Sequence, residues 1–110
     1  MIDYKNGLIY YIMHEATDNL YIGSTTGFDS RKYVHKHRCY NKESEYYSST
    51  LYTTIRDNGG WGSWSMGILQ RYPCNSRNEL QQYERFLINE LGANLNASLP
   101  STQNDKYKEL

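Results

Sequence analysis

Several features that define common protein classes are scarce in this chain of 110 residues. With only 2 cysteines and 2 prolines, it is neither a disulfide-built scaffold nor a proline-rich segment. Cys39 and Cys74 lack metal-binding spacing, so free thiols in a reducing compartment are the simpler interpretation, and a disulfide between them stays an alternative. No apolar run approaches the roughly 20 residues that span a membrane, and polar residues interrupt the N-terminus. We therefore expect an intracellular protein without membrane contact.

A net charge is also missing, because 12 Lys and Arg residues balance 12 Asp and Glu residues. A neutral chain lacks the positive surface that drives strong non-specific binding to nucleic acid. The basic residues are nevertheless clustered, since Arg31, Lys32, Lys36 and Arg38 follow one another closely. The sequence therefore predicts a locally basic face on a neutral protein.

Tyrosine, in contrast, is abundant: the chain has 12, against 2 Phe and 2 Trp. Tyrosine buries its ring and keeps its hydroxyl near water or a partner. The length suits one compact domain with a single core. We therefore expect partly solvated, tyrosine-rich surfaces on that domain, which belong either to an interface or to a cleft.

Six elements of secondary structure are predicted, in the order β-β-α-α-β-α. They are strands over residues 8–13, 20–23 and 61–70, and helices beginning near Arg31, over 51–57, and from Ser76 to Leu91. Asp29 or Ser30 is expected to cap the first helix, and Ser49 or Thr50 the second. This order predicts an α+β domain, with a three-stranded mixed or antiparallel sheet flanked by three helices, over residues 1–98. Residues 99–110 are expected to form an extended or disordered tail.

Two helices carry polar residues in informative positions. Arg31, His35 and Arg38 fall on one face of the first helix, and we expect Tyr33 and Val34 to point toward the core. In the last helix, Glu84 lies within an otherwise apolar stripe. A buried free carboxylate is unfavourable, whereas metal coordination offsets that cost. Without further information, a carboxylate at the edge of the stripe, in water, is equally acceptable.

The motifs also form a recognisable series. GLIYYI, which starts at Gly7, is followed by LYIGST, which starts at Leu20, and then by Arg31 and His35. After a glycine-rich stop and a strand come a helix that carries Glu84 in an E-x-x-x-I context and, shortly beyond it, Asn96. This series resembles the GIY-YIG nuclease family over roughly residues 6–98, although the first motif has one residue more than the name-giving triplet. Each motif alone is weak, and their order and spacing carry the resemblance.

The resemblance implies a metal-dependent DNA endonuclease with one active centre per chain. Tyr10 would help to activate water, Tyr21 would position water or substrate, Arg31 would contact the phosphate, and His35 would hydrogen-bond Tyr10 or a phosphate. Glu84 would bind a divalent cation, Mg²⁺ first, with Mn²⁺ as a substitute. The residues expected to bind substrate or hold the site together are Gly23, Lys32, Lys36, Arg38 and Asn96.

Other interpretations stay open from the residues alone. The two tyrosines are also typical of strand residues packed on a sheet, and Arg31 of a solvated surface cation. The fold would then serve as a catalytically silent nucleic-acid-binding or protein-interaction module, or as a tyrosine-rich structural protein. As an enzyme, so small and neutral a domain would rely on a separate DNA-binding partner or a homodimer for affinity. A compact standalone form would suit a virus or phage.

Overall fold

The computed structural model describes residues 2–98, in which helices cover both faces of a three-stranded sheet. The strands are β1 (Leu8–His14), β2 (Leu20–Thr25) and β3 (Trp64–Arg71), and the helices are α1 (Phe28–Tyr40), α2 (Thr50–Asp57) and α3 (Arg77–Leu91). The strand order is β2-β1-β3, with both pairings antiparallel. The predicted α+β class and element order are confirmed, and the sheet is antiparallel rather than mixed. The predicted tail over residues 99–110 lies outside the described residues.

Strand β1 is central and is buried on both faces because its side chains alternate between two clusters. Leu8, Tyr10 and Ile12 pack with residues of α1 and α2. Ile9 and Tyr11 face the opposite cluster, which includes residues of α3. The sheet therefore separates α1 and α2 from α3.

Helix α1 begins at Phe28, three residues before the predicted start, so the predicted caps at Asp29 and Ser30 are wrong. Gly27 is the N-cap residue, and its backbone N–H donates to Thr25 Oγ1 at 3.0 Å. The Phe28 ring packs edge-on against Tyr10, with 6.5 Å between ring centroids. This tertiary contact, which propensity does not reveal, explains the earlier start.

The predicted inward orientation of Tyr33 is also wrong, since its side chain is 69% exposed. Tyr33 stacks on His37 at the surface instead, with 6.0 Å between ring centroids. The buried residues of α1 are His35 and Cys39, and Val34 is half-buried. The helix thus packs the face that looked polar and basic in sequence against the rest of the protein.

The other helix boundaries follow their sequence signals closely. Ser49 is the N-cap residue of α2 without forming a capping hydrogen bond. In α3, Ser76 Oγ accepts from the backbone N–H of Glu79 at 3.2 Å. Gly92 ends α3 in the left-handed conformation, at φ 62°. The predicted capping residue and C-terminal stop of α3 are therefore confirmed.

Strand β2 lies at the edge of the sheet, and two asparagines satisfy part of its free backbone. Asn96 Oδ1 accepts from the N–H of Ile22 at 2.8 Å, and Asn96 Nδ2 donates to the Ile22 carbonyl at 2.7 Å. Asn94 Oδ1 accepts from the N–H of Leu20 at 2.8 Å. One side chain in the turn Asn94–Ser98 thus supplies the donor and acceptor that a further strand would offer to Ile22.

Two smaller predictions concern the cysteines and the membrane. Cys39 and Cys74 are both free and buried, and they belong to clusters on opposite faces of the sheet. This confirms the interpretation as free thiols. Within residues 2–98, the helices are all too short or too polar to cross a membrane.

Replacing Asn96 with alanine is expected to lower the free energy of unfolding by about 2–4 kcal/mol. The reason is that the buried backbone N–H and carbonyl of Ile22 would both lose their hydrogen-bond partner. Asn94→Ala is the matched control: its site is exposed, so water can replace the lost bonds and the loss should be below about 1 kcal/mol. Urea unfolding of both variants measures the difference. Equal losses would contradict the proposed bracing of β2.

Candidate active site

Tyr10 of β1 and Tyr21 of β2 lie on the face of the sheet that packs against α1 and α2. Tyr10 is directly opposite Gly23 and Tyr21 is opposite Ile12, so the two tyrosines are diagonal neighbours. Their ring centroids are 6.3 Å apart. The hairpin therefore brings together the two tyrosines that the sequence motifs single out.

The absence of a side chain at Gly23 leaves room for the ring of Tyr10. A Cβ at position 23 would lie 2.3 Å from the Tyr10 hydroxyl oxygen and from its Cζ atom. From the sequence, Gly23 is expected to bind substrate or to help hold the site together, and in the structure the Tyr10 ring fills the space beside it. Any side chain at this position would displace Tyr10.

His35 connects the sheet to both helices on this face. Its Nε2 atom is 2.6 Å from the Tyr10 hydroxyl, and its Nδ1 atom is 2.8 Å from the Tyr52 hydroxyl. Both hydrogen bonds are buried, and Tyr52 is only 3% exposed. Sequence reasoning missed Tyr52, although it shares the buried side of α2 with Ile55, and a buried tyrosine hydroxyl requires a partner.

Burial shifts the pKa values of these groups toward their neutral forms. It lowers the pKa of His35 to about 4, assisted by the charges of Arg31 and Arg38. Burial also raises the pKa of Tyr10, and the neighbouring Tyr21 adds to this increase. The pKa of Tyr21 rises to about 12, through burial and the negative charge of Glu84. At neutral pH the cluster therefore holds a neutral imidazole and protonated phenols.

Arg31 supplies positive charge close to the two tyrosines. Its charge opposes the increase in the pKa of both Tyr10 and Tyr21, and likewise that of Glu84. The side chain is only half-buried, so its guanidinium donors stay within reach of a bound anion. The structure thus brings the predicted arginine to the predicted tyrosines.

Glu84 reaches the same region from the other side of the sheet. It lies on α3, and its Oε1 atom accepts a hydrogen bond of 2.6 Å from Ser24 Oγ. Ser24 follows Gly23 in β2, so its side chain points to the opposite face from that of Tyr21. Burial raises the pKa of Glu84, and the Ser24 hydrogen bond opposes this increase. Ser24 was not singled out from the sequence, although it lies within the second motif, directly after Gly23.

Of the remaining predicted residues, Arg38 lies beside the hydroxyl of Tyr52, and the others take no part in the hydrogen bonds of this cluster. Lys32 and Lys36 are exposed on α1, and Lys36 lines a surface groove with Tyr33 and Tyr40. The Arg38 guanidinium carbon lies 4.1 Å from the centroid of the Tyr46 ring, in a cation–π contact. The side-chain amide of Asn96 forms hydrogen bonds with the backbone of Ile22, as described above. Direct substrate contact by any of these residues stays a prediction.

The donor set at Glu84 is compatible with one kind of metal ion. Residues 2–98 contain no group of three or more His, Cys, Asp or Glu side chains able to hold a metal. Zinc, which takes three or four protein ligands, does not fit. Magnesium often keeps several waters and uses only one or two carboxylates together with substrate phosphates. A half-buried carboxylate beside a hydroxyl and an arginine fits that second pattern.

Fold and site together define a class: a small α+β domain in which tyrosine, histidine, arginine and glutamate converge at one edge of an antiparallel sheet. The family model of the GIY-YIG catalytic domain matches residues 6–96, and the chain belongs to this family. The fold is similar to that of the catalytic domain of the homing endonuclease I-TevI. That likeness has a TM-score of 0.67 and 24% sequence identity, over 82% of this chain and 92% of that one. A comparison with curated protein sequences gives no match.

Substituting Gly23 with alanine is expected to destabilise the fold by about 1–3 kcal/mol, because the buried Tyr10 ring has nowhere to move. The matched control is Gly67→Ala, where a Cβ would lie 2.6 Å from the hydroxyl of Tyr11. Tyr11 is half-exposed and can shift, so a smaller loss is expected. Thermal unfolding measures both losses, and NMR of the His35 ring should change only in Gly23→Ala. An unchanged His35 ring in that variant would contradict the packing described.

The pH dependence of stability should reveal the buried His35. An unfolded histidine takes up a proton below about pH 6.5, whereas folded His35 does so only near pH 4. The stabilisation that depends on neutral His35 is therefore complete above pH 6.5 and is lost as the pH falls toward 4. Its full size is about 3 kcal/mol.

We expect His35→Gln to remove this dependence between pH 4 and 6.5, and His37→Gln, at an exposed position of α1, to retain it. Denaturant unfolding across this range provides the measurement. The same slope in the wild type and His35→Gln would show that His35 titrates normally.

Proposed function

We propose that the protein is a metal-dependent DNA endonuclease that hydrolyses phosphodiester bonds, with one active centre per chain. The observation that carries this proposal is the convergence of Tyr10, Tyr21, Arg31 and His35 with Glu84, which arrives from the opposite face of the sheet. Phosphodiester hydrolysis needs an activated water, stabilisation of charge on phosphoryl oxygens, and help for the leaving oxygen. Membership of the GIY-YIG family supports the assignment.

Arg31 binds the non-bridging oxygens of the scissile phosphate through its fork of N–H donors. Tyr21 positions the attacking water, and Tyr10 acts as the base in its phenolate form, after releasing its own proton to solvent. As the water oxygen bonds to phosphorus, a water proton passes to the Tyr10 oxygen, one P–O ester bond breaks, and the leaving oxygen takes up a proton from solvent. Burial disfavours that phenolate, so Tyr10 requires the charge of Arg31 and its contact with His35.

Glu84 would hold the divalent cation, Mg²⁺ or in its place Mn²⁺, with Ser24 orienting the carboxylate. When bound, the cation supplies charge stabilisation at the phosphoryl and leaving oxygens. Lys32 and Lys36, both exposed on α1, are proposed to contact the DNA backbone.

The zero net charge implies that the domain binds DNA weakly alone. A DNA-binding partner or a homodimer is therefore proposed to supply affinity and specificity. A double-strand break would require either a dimer or two successive cuts by one centre. Residues 1–98 would form the catalytic domain, in an intracellular protein of viral or phage type. A silent binding module is less well supported, because all five predicted catalytic residues are present.

Nicking of supercoiled plasmid in Mg²⁺ tests this function. Glu84→Gln and Arg31→Ala are expected to lower the rate at least about 100-fold, since each removes stabilisation of transition-state charge. Glu90→Gln, at an exposed position of the same helix, should leave the rate unchanged, and EDTA should abolish it. Wild-type nicking no faster than that of Glu84→Gln, across several metals and salt concentrations, would refute the endonuclease proposal. A retained shift of DNA in a gel would then favour the silent module.

Thermal unfolding of Glu84→Gln separates lost chemistry from lost folding. Because burial raises the pKa of Glu84, its ionised form opposes folding at neutral pH, and the neutral amide should raise the Tm. Mg²⁺ should raise the Tm of the wild type and not that of Glu84→Gln. A Mg²⁺ effect of equal size in both proteins would place the cation elsewhere.

A further inference from the structure

Tyr52 is the member of the buried cluster that the proposed mechanism does not use. It lies in α2, is 3% exposed, and places its hydroxyl 2.8 Å from Nδ1 of His35. The other ring nitrogen of His35 is 2.6 Å from the hydroxyl of Tyr10. Each nitrogen of this one imidazole therefore has a tyrosine hydroxyl as its hydrogen-bond partner.

A neutral imidazole has one N–H and one lone pair, so its two partners must play opposite roles. One hydroxyl donates to the ring and the other accepts from it. The low pKa of His35 favours this neutral form at physiological pH. The remaining choice is between two tautomers, which give Tyr10 opposite hydrogen-bonding roles.

Arg38 selects between the two tautomers through its position beside Tyr52. Its guanidinium is held over the ring of Tyr46, at 4.1 Å, and lies beside the Tyr52 hydroxyl, whose pKa it lowers against the larger effect of burial. A guanidinium has donors only, so the lone pairs of the Tyr52 oxygen face Arg38. The hydroxyl proton of Tyr52 is then directed at the second partner, Nδ1 of His35.

We propose that Tyr52 is a positioning residue that fixes His35 in the tautomer with its proton on Nε2, so that His35 donates a hydrogen bond to Tyr10. The chain of donors then runs in one direction, from Arg38 through Tyr52 and His35 to Tyr10. Hydrogen bonds aligned in this way polarise one another.

A hydrogen bond donated by His35 would stabilise the phenolate form of Tyr10. An N–H donor at 2.6 Å stabilises a phenolate oxygen, whereas the opposite tautomer would require Tyr10 to keep its proton and donate it. The Tyr10 oxygen can then accept the proton of the attacking water while the His35 tautomer stays unchanged. This catalytic consequence, unlike the tautomer itself, rests on the proposed nuclease function.

NMR of ¹⁵N-histidine-labelled protein tests the assignment without substrate, with His35→Gln identifying the His35 signals. Wild type is expected to show a protonated Nε2 and an unprotonated Nδ1 at neutral pH. Tyr52→Phe should show a mixture of both tautomers, and Arg38→Met should do the same while keeping the tyrosine in place. A proton on Nδ1 in the wild type, or a pure Nε2–H tautomer in both variants, would overturn the proposal.

Kinetics provide the second readout. Tyr52→Phe is expected to lower kcat about 10-fold with KM unchanged, because it alters the base and not substrate binding. The control is Tyr83→Phe, which removes a hydroxyl that donates to Gln70 Oε1 at 2.7 Å on the other side of the sheet. An equal effect in the two variants would contradict a positioning role. An inactive wild type with the Nε2–H tautomer would refute the nuclease function and leave the tautomer assignment standing.

Discussion

The hydrogen bond between Tyr10 and His35 is the contact on which the site depends. It joins the central strand to α1 across the buried core, at 2.6 Å, and the space beside Gly23 admits the tyrosine ring that makes it. Tyr52 supports the same histidine from α2. Three separate elements therefore hold one pair of side chains, which limits how far either can move. Such restraint suits groups that must be positioned before a reaction begins.

The site also depends on β2 being an edge strand. Tyr21 and Gly23 lie on one face of this strand and Ser24 on the other, so a narrow edge is where groups from both faces can meet. A further strand would separate Glu84 from the tyrosines. Asn96 satisfies the backbone of Ile22 with a single side chain, so the edge is stabilised without being widened. Strand β2 is thus stabilised by Asn96 and still leaves the edge of the sheet open.

Sequence reasoning succeeded where local signals and geometry agree. Strand periodicity, the Ser76 cap and the Gly92 stop located the main elements, and the motif series predicted the family and the residues that converge. It failed for Tyr33, because α1 buries a polar face, and the usual rule assigns polar residues to solvent. It also missed Tyr52 and Ser24, whose roles come from contacts across 17 and 60 positions of the chain. Such long-range partners leave little trace in local pattern.

Burial lowers the pKa of the basic His35 and raises the pKa of the acidic Glu84. His35 loses its proton more readily and Glu84 keeps its proton more readily, so both tend toward neutrality. Arg31 and Arg38 place positive charge near His35, even though the whole chain is neutral. Net charge alone therefore does not describe the charge distribution around His35. A cation beside Glu84 would in turn favour its ionised form, so occupation of that position and ionisation of the carboxylate reinforce each other.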